Sequence, residues 1–296
     1  MLRSENLLAA ATMMASMACF ILNDTALKTM AGDVPLYQLL VLRGVMTSAL
    51  VGALAWRMGA LNARPPARDM ALIGLRTLAE LGATFFFLTA LFNMPIANLM
   101  AIHQALPLTI TLGAALIYGE KVGWRRLSAI AIGFCGVLLI IRPWTSGFTL
   151  WSVYALLAVF CVTVRDLTTR RLSSGTPSIL VTLVASVSVM LVFGLIQSGE
   201  PFVPMAPHQI GLTVFAAFCI IGGYLFSIVV MRIGEVSFAA PFRYSSMLWA
   251  LALGWVVFGD WPDALTLLGA AIVVGSGLFM LYREARLVRR LARQTP

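Results

Sequence analysis

Asn23-Asp24-Thr25-Ala26-Leu27-Lys28, followed by Gly32-Asp33-Val34-Pro35, is written again as Arg165-Asp166-Leu167-Thr168-Thr169-Arg170, followed by Ser174-Gly175-Thr176-Pro177. An acid, a base four residues on and a later proline recur at one constant offset of 142 residues. Further along, Glu80-Leu81-Gly82-Ala83 answers to Ile220-Ile221-Gly222-Gly223, and Tyr118-Gly119-Glu120 to Phe258-Gly259-Asp260, at an offset of 140. The chain therefore reads as a tandem repeat, residues 1–145 and 146–296. Each copy holds five apolar segments, and an odd number of crossings starts the second copy on the opposite face of a bilayer.

Composition makes that bilayer the solvent. Hydrophobic residues are 60% of the chain and charged residues 11%, against about 25% charged in ordinary soluble domains. Apolar stretches of about 20 residues recur, enough to cross a hydrocarbon core of about 30 Å. Ten helices are predicted: Glu5–Met30, Pro35–Met58, Asp69–Phe92, Pro95–Tyr118, Trp124–Ile141, Leu150–Leu172, Pro177–Gln197, His208–Met231, Val236–Phe258 and Ala264–Tyr282. Barrel strands would be about ten residues long and alternate polar with apolar, so a β-barrel is excluded. The predicted fold is an all-α membrane protein, ten transmembrane helices in two inverted five-helix repeats.

Basic residues set the orientation. With the N-terminus inside, cytoplasmic segments collect Arg3, Arg57, Arg64, Arg68, Lys121, Arg125, Arg126, Arg170, Arg171, Arg232, Arg283, Arg286, Arg289, Arg290 and Arg293, and the outer ones Lys28 and Arg142. The positive-inside rule then puts both termini in the cytoplasm. The net charge of +9 is scattered over short loops and a tail, so the lipid bilayer, rather than nucleic acid, is its expected counterpart. Met17-Ala18-Cys19 resembles a lipoprotein cleavage site, but the apolar run continues to Met30 and reads as an uncleaved first span. Cys19, Cys135, Cys161 and Cys219 all fall inside spans without CxxC spacing, which suggests neither disulfides nor zinc.

Charge at the bilayer centre costs at least about 2.5–3.5 kcal/mol on insertion scales, so each ionisable group kept there is a candidate for function. Arg43, Arg76, His103 and Arg243 are expected about 10–12 Å from a membrane face and Glu80 about 16 Å in, at about 1.5 Å per residue. Their similar depth predicts one shared polar cavity. Arg76 and Glu80, spaced i and i+4, can equally neutralise each other on one helix face. Glu80 in an apolar surround would also be able to carry a proton. His103 and Arg243 are repeat mates, each followed by another polar residue, Gln104 and Tyr244. Their helices are expected to be broken, because Pro107 unpairs the carbonyl of His103 and Pro241 that of Ser237. Irregular backbone at membrane depth is tolerated where it faces protein or a wet cavity, which marks both helices as lining a path.

Asp24 with Lys28 is expected near the outer face, and Asp166 with Arg170 near the inner face. As symmetric pairs they could close opposite gates in turn, or simply cap helix ends. Ala129-xxx-Gly133 and Ala271-xxx-Gly275 read as faces for close helix packing, within the protein or at a homodimer contact. Tyr224, Tyr244 and Trp249 could stack on a planar ligand, or serve as core and interface anchors.

Missing chemistry narrows the class. No GxxxxGK[ST], HExxH or GxSxG stretch occurs. With His103 and His208 as the only histidines, a histidine-built metal site is not expected. An intramembrane enzyme using Glu80 and His103 as acid and base is the competing class, yet no nucleophile or metal stands beside them. A mere scaffold would have no reason to keep so many midplane charges.

Ten spans in two copies, Arg43-Gly44 in the second, and Gly119-Glu120 and Gly259-Asp260 closing the fourth span of each copy resemble the EamA family of the drug/metabolite transporter superfamily, over nearly the whole chain. Arg43 matches the family's second-span arginine, although the second copy has Ala185 there. The resemblance implies a multi-pass carrier in a bacterial-type inner (plasma) membrane, without cofactor or catalytic residues. It implies a central cavity lined largely by the first four helices of each repeat, moving a small-molecule substrate by alternating access. Family members carry amino acids, riboflavin and nucleotide-like metabolites, so membership does not choose among them. The excess of Arg43, Arg76 and Arg243 over Glu80 favours a carboxylate-bearing substrate such as an amino acid. Riboflavin or a nucleotide-like metabolite is the alternative.

Overall fold

Hydrocarbon offers a backbone no hydrogen-bonding partner, so the apolar stretches close their hydrogen bonds within themselves as helices. The computed structural model describes residues 2–120, 122–143, 148–173, 175–199, 201–233 and 236–292; Lys121, Ser174 and Arg293 lie outside them. In chain order the helices are α1 (Leu2–Thr29), α2 (Leu36–Arg57), a 3-10 turn (Ala60–Asn62), α3 (Ala67–Asn93), α4 (Ile96–His103), α5 (Leu106–Tyr118), α6 (Trp124–Ile141), α7 (Leu150–Arg170), α8 (Ser178–Gln197), α9 (Pro207–Ile233), α10 (Val236–Ala239), a 3-10 segment (Ala240–Tyr244), α11 (Ser245–Phe258) and α12 (Ala264–Ala292). Among the described residues nine helical runs are long and apolar enough to cross a membrane, α4 and α5 counting as one run over Ile96–Tyr118.

Proline and glycine set the helix ends. Val236–Phe258 is broken near Pro241, as expected: that residue falls in the first turn of the 3-10 segment and leaves α11 with 14 residues, about 21 Å long. Pro35, Pro95 and Pro177 each stand just before a helix, at the ends of α2, α4 and α8 where no amide is missed. Gly119 and Gly259 end α5 and α11 in the left-handed conformation, at φ 66° and 69°. Glycine adopts it without a Cβ penalty, which is why the paired Gly119-Glu120 and Gly259-Asp260 signatures need glycine first.

Two compact units result, and neither is one copy of the repeat. One contains residues 1–25, 94–152 and 219–296, the other residues 26–93 and 153–218. In the first, α6 lies against its repeat mate α12. A Cβ added to Gly136 would sit 2.8 Å from the Gly269 carbonyl oxygen, and one added to Gly269 would sit 2.7 Å from that of Gly136. Gly133 meanwhile faces Ser276, so the two helices run antiparallel. α4 lies antiparallel to α11, the repeat mate of α5, with Ile96 against Gly254 and Gln104 against Ser246. In the second unit α2 meets its mate α8 antiparallel: Gly44 admits Met190 and Gly52 faces Leu183, while the Tyr37 and Phe193 rings stack at 5.9 Å.

Small residues supply the close approach, but not all of those expected. Ala129 and Gly133 are buried, whereas Ala271 and Gly275 lie on an exposed face of α12; Gly269 and Gly277 are the glycines α12 buries instead. Ala271-xxx-Gly275 is therefore not a packing face within the protein, since a two-residue step, about 200° around the helix, separates it from the buried glycines.

At the end of the α6–α12 pair Arg142 adopts φ 49° and its guanidinium holds both carboxylate oxygens of Asp263. Asp263 also caps α12, accepting the Thr266 backbone N–H at 2.8 Å. The Arg142 hydrogen bond first, then those of Thr266, hold the Asp263 carboxyl down at about pKa 2, from an ordinary 3.8.

Gly269→Leu is expected to lower stability in detergent by about 1–3 kcal/mol, because backbone rather than a flexible side chain would have to yield. Gly275→Ala, which has nothing within 4 Å, should leave the thermal midpoint unchanged. A depressed folded pKa stabilises above the unfolded value and loses that contribution as pH falls. Wild type should therefore exceed Asp263→Asn in thermal stability at pH 5, and the gap should close as pH falls from about 4 towards 2.

Candidate functional site

In the first unit the chemistry gathers where two helices are interrupted. α4 stops at His103; the Gln104 amide still donates to the Met100 carbonyl, but Ala105 tightens to that of Ile102, both at 3.0 Å. α5 then starts at Leu106 with Pro107 in its first turn. Across from this break the 3-10 segment turns into α11, where the Ser245 amide is shared between the carbonyls of Phe242 and Arg243. Gln104 Nε2 donates to Ser246 Oγ at 2.7 Å, joining residues 142 apart in sequence. The two interruptions are thus bonded to each other.

Around that bond the predicted residues divide. Gln104 and Tyr244 are buried, His103 is half-buried, and Arg243 and Trp249 are exposed. Tyr244 does not present its ring as a stacking surface: it is 6% exposed, and a Cβ on Gly277 would fall 1.7 Å from its hydroxyl. The side chain fills the notch that glycine leaves in α12. Among the described residues its hydroxyl, like that of Ser245, has no hydrogen-bond partner. Trp249 shares the exposed face of α11 with Leu248 and Val256. Tyr224 is exposed and meets Phe20 edge-on, ring centres 5.4 Å apart. On α1, Asp24 is buried and accepts a hydrogen bond from Asn23 Nδ2 at 2.9 Å.

The second unit holds a linked set of partly buried charges. Arg43 is half-buried beside Gly44, whose missing side chain lets α8 approach α2. Lys28 Nζ donates to the Leu91 carbonyl at 2.8 Å. Arg76 lies 3.7 Å from Glu80, and its Nε donates to Thr169 Oγ1 at 3.2 Å. Glu80 is also 3.5 Å from Arg165, whose Nε donates to Asp166 Oδ1 at 2.8 Å. The apolar surround expected for Glu80 is therefore corrected: its carboxylate sits between two guanidinium groups. Arg170 is exposed.

Arg165 had no role in the sequence reading, because Asp166 and Arg170 already satisfied the i,i+4 pattern. A signal was there. Asn23 and Arg165 are repeat mates, and each donates to the aspartate that follows it. Asp69, which the sequence marks only as a helix start, is 1% exposed and accepts from the Ser173 backbone and hydroxyl and from the Thr176 hydroxyl. Among the described residues no cluster of His, Cys, Asp or Glu is arranged to hold a metal ion.

The EamA-like transporter family model matches residues 7–142 and again residues 149–282, and the chain belongs to that family. It is a multi-pass membrane transporter of two repeats. A riboflavin transporter of Vibrio cholerae serotype O1 is 29% identical over 220 residues, 72% of each chain. An S-adenosylmethionine uptake transporter of Rickettsia prowazekii is 23% identical over 65% of each. The pseudopaline exporter CntI of Pseudomonas aeruginosa is 21% identical, covering 91% of this chain and 95% of its own. A solved crystal structure, 22% identical, covers 95% of this chain and 98% of the other with a TM-score of 0.62, and shares the fold.

Tyr244→Phe removes a buried hydroxyl that has no partner, so its thermal midpoint should equal or exceed that of wild type. Gly277→Ala drives a methyl group into that hydroxyl and should cost about 1–3 kcal/mol. Combining the two should recover part of the loss, as thermal unfolding of the four proteins would register.

Proposed function

We propose that this protein is a secondary transporter of a small organic metabolite, working by alternating access from two inverted five-helix repeats, residues 1–145 and 146–296. The observation that carries the proposal is the Gln104–Ser246 bond between two interrupted helices at equivalent places in the repeat. Interrupted helices in a transporter mark the substrate path, because irregular backbone needs a polar lining. In each unit, repeat mates that pack antiparallel support the inversion. The 3-10 segment with α11 would complete the tenth crossing. The arginine bias supports a bacterial-type inner membrane with both termini cytoplasmic.

His103, Gln104 and Arg243 are the proposed substrate contacts of the first unit, with Trp249 available for stacking; Arg43 is the proposed contact of the second. Arg76 and Glu80 are assigned to charge pairing rather than to substrate, since each already faces an opposite charge. Asp24, Lys28, Asp166 and Arg170 are proposed to act at the two gates. With Arg76 engaged, the surplus of cations that favoured a carboxylate is smaller. Riboflavin or another metabolite with a planar ring system becomes the first proposal, supported by three relatives named riboflavin transporters at 26–29% identity. A carboxylate-bearing metabolite such as an amino acid remains the second, favoured by the exposed Arg243 guanidinium.

The test is ligand-induced stabilisation of the purified protein with riboflavin, S-adenosylmethionine and amino acids in parallel, since a ligand that binds only the folded state must raise its melting temperature. Riboflavin is expected to do so. Arg243→Gln should weaken the response at least about ten-fold in apparent affinity if a charged hydrogen bond is lost, while the ligand-free melting temperature stays put. A response to amino acids alone would select the second substrate class, and an unaltered response in Arg243→Gln would remove Arg243 from the site.

A further inference from the structure

We infer that the α3–α7 crossing is a charge-latched gate at its cytoplasmic end, with Arg165 as the latch. This deepens the alternating-access proposal and rests on its orientation.

α3 and α7 run antiparallel, and their links change character along the crossing. Where α3 begins and α7 ends, Asp69 accepts the Ser173 amide at 3.1 Å, the Ser173 hydroxyl at 2.5 Å and the Thr176 hydroxyl. Further in, Arg76 donates to Thr169 at 3.2 Å. Deeper again, Glu80 stands 3.5 Å from Arg165, which Asp166 holds in place from the far side at 2.8 Å. There polarity stops. Gly82 faces Cys161, whose Sγ would lie 2.9 Å from an added Cβ, and Phe86 meets the Tyr154 ring edge-on at 5.3 Å. The polar rungs occupy the half of α3 that starts beside Arg64 and Arg68 and meets the Arg170-Arg171 end of α7, the basic side that the positive-inside rule assigns to the cytoplasm.

Permanent packing would not be built this way. An ion pair taken out of water loses in desolvation much of what it gains in attraction, so apolar side chains would hold two fixed helices at least as well. Charges are suited to a contact that opens, because water solvates both partners as they part. The side chains of Glu80, Arg165 and Asp166 retain 19%, 26% and 30% exposure, so the charges are not sealed inside packed protein. Among the described residues the equivalent crossing, of α1 with α9, has no counterpart of the Glu80–Arg165 pair. Ile220 stands in place of Glu80 and Asn23 in place of Arg165, and the contact is made by Ser16, whose hydroxyl donates to the Gly223 carbonyl at 2.7 Å. Even the end rung is weaker there: Asp33 receives one hydrogen bond from Gln209, at 3.5 Å, in place of the three at Asp69. The charge latch belongs to one face alone.

Cys161 is a built-in reporter, one helical turn past Arg165 and behind the latch. In a background carrying Cys19→Ser, Cys135→Ser and Cys219→Ser, a membrane-impermeant maleimide would be applied to inside-out vesicles and the rate of Cys161 labelling measured. Glu80→Gln and Arg165→Gln should each accelerate labelling about three- to five-fold, the shift expected from losing one half-exposed ion pair. The exchange Glu80→Arg with Arg165→Glu should return the rate towards that of wild type, and Arg165→Lys should stay close to it. Unchanged rates in the single variants would overturn the latch. So would an exchange variant, or an Arg165→Lys variant, that labels as fast as Arg165→Gln, since packing rather than charge would then be at work. Labelling needs no substrate, so failure of the transport proposal would appear in the ligand screen and not here. Acceleration confined to right-side-out vesicles would reverse the orientation and overturn the cytoplasmic assignment.

Discussion

A backbone amide in hydrocarbon has only the protein to bond to, and that constraint decides where this chain can afford to be irregular. Pro107 and Pro241 interrupt helices that would otherwise satisfy themselves. Both interruptions lie in one compact unit, and each is tightened into 3-10 geometry that keeps the amides beside the break bonded. The Gln104–Ser246 bond then ties one irregular stretch to the other. Polar side chains follow as a consequence, since a break needs partners that apolar residues do not supply. His103 and Arg243, flanking these turns, are therefore in the part of the fold where polarity is structurally required as well as chemically useful.

Much of this architecture is legible in the sequence because membrane helices are set by two strong and local signals, apolar length and proline or glycine at the ends. The run over Trp124–Ile141 is reproduced to the residue in α6. The ninth predicted span is different. Its apolar length is adequate, but Pro241 lies too far inside it for the helix to survive, so the local rule outweighs the count. Which glycines of α12 are buried was not legible, since Gly269, Gly275 and Gly277 are alike in sequence and differ only in what stands opposite them.

The candidate site was legible as a set of residue types and much less so as a set of contacts. Arg76 and Glu80 were paired correctly from their spacing, and the pair appears at 3.7 Å. What spacing could not show was a third partner from another helix. Arg165 comes 85 positions after Glu80, and only the antiparallel course of α3 and α7 brings them together. Tyr244 carries the same lesson in reverse. A tyrosine beside an arginine in a broken helix suggests a ligand surface, yet a glycine 33 residues later provides the notch that takes its hydroxyl.

When a helix lies antiparallel against its own duplicate, as α6 does on α12, the contact has the self-complementary form of a twofold interface between identical chains. In a true dimer every substitution occurs twice and must suit both sides at once. Covalent fusion of the copies lifts that restriction. Glu80 can acquire a guanidinium partner while Ile220 stays apolar, and Asp69 can collect three donors while its counterpart Gln209 makes one long hydrogen bond to Asp33. A homodimeric ancestor of such a molecule would have its two faces equal in energy by symmetry. A single chain can make them unequal, and so can have a preferred resting state.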